Sequence, residues 1–438
     1  MELSALKATS SPSTEECIYR MPFAFSLPTT SALSLSSCLG SNTHPSLPQS
    51  ATIQRNVLRS VLKKHKRLPP KAQSSDISSV QSALNEYLSY LLAIDASLSG
   101  KSLHGEEVEL SLQEEFEVEW RSTLSIAIPG REPRRLKGKG LEYEICFILA
   151  SLAYTHIASA RVSLLTLYGS VTPSVELRVK IIQNATKLIL AAGSIHAYLS
   201  LRALETDASS AVVESLSQTH SALKALALAE ATLLAVLKDD PHPFVVAQAR
   251  NKDDKDWMIK APEIPKVRAH LFARLCLAAA EHAATAEAGL SATGRVTQDL
   301  IEYVGDLKKT ARAKACRLFG IDAELEGETG KAIAWLRAAK KELGFAVEGE
   351  GRRATASGLK KIKQDWMEKR EDRKIEKGGE WGSDAGRFEE LRVTEYLEAK
   401  WTKMNDTVCL AMAAKGHLTS DNLIDQHAID STIRFSCS

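Results

Sequence analysis

The chain has 438 residues, with 56 Lys and Arg against 54 Asp and Glu, a formal net charge of +2. That balance excludes a global field that would gather nucleic acid or anionic lipid. Apolar residues make up 44% and charged residues 25%, as in a soluble globular protein, while only 6% are aromatic, so the Ala- and Leu-rich remainder favours helices over strands.

Residues 1–20 show no period and read as a disordered extension, with Met21 a candidate start. They hold acidic residues and Pro without a compact basic block before an apolar one, so no signal peptide is expected. Residues 22–52 are rich in Ser, Thr and Pro, with Leu27, Leu33, Leu35 and Leu39 recurring. The recurrence predicts an extended segment lying on a folded body. Val57, Val61 and Leu62 at helical spacing predict a helix over 53–68, ended by Pro69 and Pro70. A second helix is expected over 75–98, with Asp76 as N-cap and an apolar stripe from Val80 to Ile94.

The one β signal lies between Glu115 and Ile128. Phe116, Val118 and Trp120 alternate with charged residues, then Leu124, Ile126 and Ile128 alternate again, which predicts a small hairpin. A basic loop, Pro129–Gly140, is expected to follow it. From Gly140 to about Leu343 nearly everything reads as helix: a first one with Ile145, Ile148, Leu149 and Leu152 at i, i+3, i+4 and i+7, then helices over 174–204, 210–237, 266–289, 295–319 and 331–343. Pro241 and Pro243 are expected to break the pattern, and 251–265 reads as a polar loop. Long Ala-rich helices with short connections are the pattern of an α-solenoid, here without a strict sequence period. Residues 346–377 turn to Gly and charge and lead to a solvated helix around Trp366. A closing helix is expected over 388–404, and residues 409–438 read as an irregular tail.

No segment reaches the ~18 apolar residues of a membrane span; the nearest, Ala222–Leu237, is interrupted by Lys224 and Glu230. The seven Cys are dispersed without a C-x-x-C pair, which argues for a reducing compartment. There is no phosphate-binding G-x-x-x-x-G-K-[ST], no G-x-S-x-G and no H-E-x-x-H, and Gly138-Lys-Gly140 reads as a plain turn. Neither cofactor nor metal is expected. A Cys–His dyad need not be local, but Cys146 sits between Ile145 and Phe147 on a helix, where burial would raise its pKa. The basic run Arg352–Lys377 reads as a solvated face with i, i+4 ion pairs. The chain is therefore expected not to be an enzyme.

Two stretches name a family. Leu141-Glu-Tyr-Glu-Ile-Cys-Phe-Ile-Leu-Ala-Ser-Leu-Ala-Tyr-Thr-His-Ile-Ala158 and Ala191-Ala-Gly-Ser-Ile-His-Ala-Tyr-Leu199 resemble core helices of the Bro domain, the module of Alix and other endosomal adaptors. Gly193 in the second is where two helices would approach most closely. Pro22–Thr30, Lys63–Pro70, Glu119–Arg121, Lys137–Glu144 and Lys400–Thr407 are similar to the fungal ambient-pH signalling members of that family. The similarity spans residues 21–408, taken as one Bro domain. It implies a mainly α, elongated Bro-domain solenoid with a TPR-like helical core and a small N-terminal β element.

The resemblance also implies a function. Such an adaptor binds an ESCRT-III subunit through that subunit's C-terminal amphipathic helix. In alkaline-pH signalling it supports a calpain-like protease complex that processes a zinc-finger transcription factor. It implies a cytoplasmic protein, recruited to cortical or endosomal membrane sites through its partners. The family's binding surface comes from two helices. Leu228-Ala-Glu-Ala231 with Leu234, Val236, Leu237 and Lys238 matches the first, and Leu271, Phe272, Arg274 and Leu275 match the second. Leu271 and Leu275 are four apart and share a face, as a groove wall requires. Ala235 departs from the aromatic ring of endosomal relatives. An endosomal-sorting Bro adaptor and a generic helical scaffold for another peptide remain open. The endosomal members continue into a coiled domain and a Pro-rich tail, for which this chain has few residues left.

Overall fold

The computed structural model describes residues 22–102, 108–126, 133–168, 173–202, 212–250, 268–345 and 384–414. Ten helices account for most of them: α1 (Ser46–Arg67), α2 (Pro70–Leu98), α3 (Gly140–Leu165), α4 (Val175–Arg202), α5 (Ser217–Asp239), α6 (His242–Arg250), α7 (Ala269–Ala292), α8 (Gln298–Leu325), α9 (Thr329–Glu342) and α10 (Arg387–Ala414). From α1 to α5 each packs on the next. α5 then passes over α6 to pack on α7, and the row continues through α8 and α9 to α10. Side-by-side stacking of this kind buries one continuous apolar core and is the expected solenoid.

α3 is the axis of that core. Every residue from Tyr143 to Thr155 is buried. A helix apolar all round has no solvent face to offer, so neighbours must cover it on all sides. Its one buried carboxylate, Glu144, accepts from Arg55 Nε at 2.8 Å on α1, from Tyr87 Oη at 3.0 Å on α2 and from Trp120 Nε1 at 2.6 Å. Four elements thus meet at one satisfied charge. By length and composition α3 and α5 would each cross a membrane, but 72% of either apolar window lies inside the protein. Both are core helices, and the sequence expectation missed that α3 reaches that length.

The β elements are small. β1 (Leu39–Gly40) pairs with β2 (Ser111–Leu112), and β3 (Glu117–Arg121) pairs antiparallel with β4 (Arg135–Lys139). Val118 and Trp120 point inward and Glu117 outward, as period two requires. The hairpin partner differs from expectation: β4 comes from the predicted basic loop, and Ser125 instead bridges Val296. Gly140, at φ +81°, turns β4 directly into α3 in a backbone region that favours glycine. The extended N-terminal segment lies on the body as expected. Thr30 bridges Trp120, and Phe23, Phe25 and Leu27 alternate toward the core, with Phe25 stacked on Tyr154 at 4.6 Å.

Several boundaries move for identifiable reasons. α1 begins at Ser46 because Pro48 falls in the first turn, where its missing N–H costs nothing. α2 begins at Pro70, so Asp76 is not an N-cap; it instead meets Lys64 Nζ at 3.3 Å and His65 Nδ1 at 3.2 Å on α1. Pro243 is likewise tolerated at the start of α6, a helix not anticipated. α10 continues to Ala414, into the stretch read as an irregular tail. The extension 1–20, the helix around Trp366, the basic run 352–377 and the tail from 415 lie outside the described residues.

Candidate functional site

The two helices of interest, α5 and α7, lie side by side. A Cβ on Gly289 of α7 would sit 2.9 Å from Ala222 Cβ on α5, and one on Gly193 of α4 would sit 3.2 Å from Ala227 Cβ. Glycine at both places lets α5 be gripped closely from two sides. Leu271 precedes Gly289 by about five turns and shares its azimuth on α7, so it stands on the flank toward α5. Leu271 is 48% exposed, Arg274 is exposed, and Phe272 and Leu275 are half-buried against the core. Along α5 Gln218, Ser221, Lys224, Ala235 and Asp239 are exposed and Leu228, Thr232 and Lys238 are half-buried, with Lys238 3.6 Å from Asp239. These step by three and four residues, the outward stripe of a helix.

Beneath this surface α5 carries charge. Glu230 is buried, accepting from Tyr303 Oη at 2.6 Å and from the Phe23 amide at 3.2 Å. Arg161 lies near and donates to the Pro22 carbonyl. Burial pushes the Glu230 carboxyl up to about 7, against the lowering pull of Tyr303, the Phe23 amide and Arg161. At the C-terminal end of α5, Asp240 meets Arg317 at 2.6 Å, and Arg317 also binds Glu390 of α10 at 2.5 Å. This network ties the α5 end to α8 and α10.

The comparisons decide the family. No family model matches the chain. The pH-response regulator protein palC of Emericella nidulans is 48% identical over 423 residues, covering 89% of this chain and 83% of that protein. The chain belongs to the palC family of pH-response regulators. Its fold matches the Bro1 domain of ALIX, solved in complex with CHMP4C, with a TM-score of 0.50 at 14% identity over 81% of this chain and 88% of that one. ALIX in complex with a SIVmac239 late-domain peptide gives a TM-score of 0.49 at 14% identity, over 80% of this chain and 44% of that one. A Bro1 domain described for endosomal targeting gives 0.46 at 15% identity, over 94% and 90%. The Bro-domain fold of this palC relative thus agrees with the reading of its two signature helices.

Within that fold the predicted site residues separate. On α7 Leu271 is exposed and Leu275 half-buried, and on α5 Lys238 is half-buried. Leu234, Val236 and Leu237 are covered: all three are at most 2% exposed and face the core. As direct contacts for a partner they are corrected, because they occupy the inward azimuths of α5, one to two residues off its outward stripe. The outward positions of α5 that sequence matching passed over include the half-buried Thr232 and the exposed Asp239. Their small or polar character gave no apolar period to find them by.

The Cys–His question also resolves in this palC-family chain. Cys146 Sγ lies 3.3 Å from His220 Nε2, and His220 Nδ1 lies 3.2 Å from His196 Nδ1. The thiol donates to the Glu214 carbonyl at 2.9 Å. Burial pushes the thiol pKa up and the His220 imidazole down to about 4, so the pair rests as neutral thiol and neutral ring, without the thiolate a nucleophile needs. Among the described residues no three or more His, Cys, Asp or Glu are grouped to hold a metal ion.

Proposed function

We propose that this chain is a non-catalytic adaptor of alkaline ambient-pH signalling that grips the C-terminal amphipathic helix of an ESCRT-III subunit. Residues 21–408 form the Bro domain in this reading. The adaptor supports a calpain-like protease complex acting on a zinc-finger transcription factor, and partners draw it from the cytoplasm to cortical or endosomal membranes. The observation that carries the binding site is the exposed Leu271, flanked by Phe272 and Leu275 along the seam with α5. An exposed Leu beside half-buried apolar neighbours offers a partner helix an anchor at i, i+4 spacing. The ALIX Bro1 domain captured with CHMP4C, an ESCRT-III subunit, supports the choice of ligand.

The test is a pulldown with a purified ESCRT-III C-terminal peptide. Leu271→Asp should abolish retention while the circular dichroism spectrum and Tm stay unchanged. Leu275→Ala, a milder change at a half-buried position, should weaken it. Full retention by folded Leu271→Asp would overturn the site, and failure of the native chain to bind any ESCRT-III tail would overturn the function.

A further inference from the structure

The β3–β4 hairpin has one edge covered and one open. On the covered side the N-terminal segment runs along β3. The Ser31 amide donates to the Glu119 carbonyl at 3.2 Å, and the Arg121 amide to the Thr29 carbonyl at 2.9 Å. Successive residues of a strand turn their backbone groups to opposite sides, so Val118 and Trp120 bond to β4, where they stand opposite Gly138 and Leu136. The Gly140 amide, which donates to the Phe116 carbonyl at 3.0 Å, keeps the same alternation. The N–H and C=O groups of Arg135, Lys137 and Lys139 therefore face away from β3. Among the described residues no strand or backbone group pairs with them.

An edge of this kind is a template for another strand, and its side chains decide which one. Arg134-Arg-Leu-Lys-Gly-Lys139 carries four cations and no acid. Lys137 Nζ is 3.2 Å from Glu117 and 4.0 Å from Glu119, and Lys139 Nζ is 3.4 Å from Glu115. These surface pairs are weak, so a carboxylate arriving on the open side can share either lysine. The Arg135 Nε is buried and makes no hydrogen bond among the described residues. On the inner face Leu136 is half-buried against the core, and Gly138 is bare because a Cβ there would collide with the Tyr143 ring. The outward row thus favours Glu or Asp in an added strand, and the inward row an apolar side chain beside Leu136. A second copy of this edge would set cation against cation.

We propose that the open edge of β4 is a binding site for an extended acidic segment of a partner protein, alternating Glu or Asp with apolar residues, which adds to the sheet as a further strand. Main-chain bonds to Arg135, Lys137 and Lys139 supply the grip, and the lysines select the charge. β3 already meets β4 in this way: Glu117 and Glu119 lie on the solvent face, with Val118 and Trp120 inward. The site is separate from the helix-binding surface at α5 and α7.

The test is amide-resolved hydrogen exchange of the full chain with the synthetic peptide acetyl-Glu-Val-Glu-Val-Glu-Val-Glu-amide. Exchange should slow at Arg135, Lys137 and Lys139 and stay unchanged at Leu136 and Gly138, which already bond to β3. Absence of binding, or binding without this alternation, would overturn the proposal. Lys137→Pro removes an outward N–H and no bond to β3, a place where edge strands tolerate proline, and should abolish binding. Lys137→Thr keeps the N–H and should weaken binding about threefold, the share of one cross-strand pair. If Lys137→Pro disturbs the hairpin, seen as faster exchange at Leu136, the peptide carries the test. Methylating its Glu amide nitrogens, which face β4, should abolish binding, whereas methylating its Val amides should not. Full binding by a folded Lys137→Pro chain or by the Glu-methylated peptide would rule out strand addition. Equal binding of the Lys-Val counterpart would refute the acidic partner. Protection of the outward amides that rises with chain concentration alone would give the edge to a second copy instead.

Discussion

Arg55 of α1 and Glu144 of α3 form a fully buried ion pair, with Nε 2.8 Å from Oε1. Tyr87 and Trp120 donate to the same carboxylate, so the charge is desolvated but saturated. Removing one partner leaves the other buried and unpaired. Glu144→Gln should therefore cost about 3–5 kcal/mol in urea denaturation. A loss under ~1 kcal/mol would show that water reaches the guanidinium.

Glu230 sets a pH dependence of opposite sign to the usual carboxylate. Burial raises its carboxyl to about 7 in the folded chain, from an ordinary value of 4.5. Between those values the folded state binds the extra proton, so stability is fully present below about pH 4.5 and falls as pH rises to about 7. Glu230→Gln should remove this slope, with an upper bound of roughly 3 kcal/mol, read as Tm against pH.

His196 and His220 pull the other way. Burial lowers both, His220 to about 4 from 6.5. Their contribution is present above pH 6.5 and is lost as pH falls toward 4. In the native chain the two slopes oppose each other between about pH 4.5 and 6.5. His220→Gln should expose the Glu230 slope, and Glu230→Gln the histidine slope. Identical Tm–pH curves for both variants would refute the pairing.

Leu234 and Leu271 should separate stability from binding. Leu234 is 0% exposed, and Leu234→Ala should cost about 2–5 kcal/mol by cavity formation. Leu271 is 48% exposed, and Leu271→Ala should stay within about 0.5 kcal/mol while weakening peptide capture. Thermal melts and the ESCRT-III pulldown, run side by side, read the two effects.

Much of the helical row was legible in the residues. Apolar spacing placed α1 to α5 and α7 to α10 to within a few residues at most ends, and period two placed Val118 and Trp120 inward. Pro243 hid α6, because proline reads as a break unless its place in the first turn is known. β4 was hidden because Arg135–Lys139 has no alternating apolar face, and its pairing is set by the long-range register with β3. The candidate site was legible only in part: α7 showed its outward leucines, whereas on α5 apolar residues fill most azimuths and spacing alone could not orient them.

The two signature stretches carried in their own residues both the family and the packing. Small side chains at Gly193 and a run of apolar residues around Glu144 permit only close helix contact, and that requirement is local. What Leu234 and Leu271 do is not local. A leucine's role depends on which azimuth a neighbouring helix covers: Leu234 is covered, and Leu271 is left open. The same holds for Lys137 and Lys139, ordinary basic residues in the chain, whose backbone groups the hairpin register turns to an open edge.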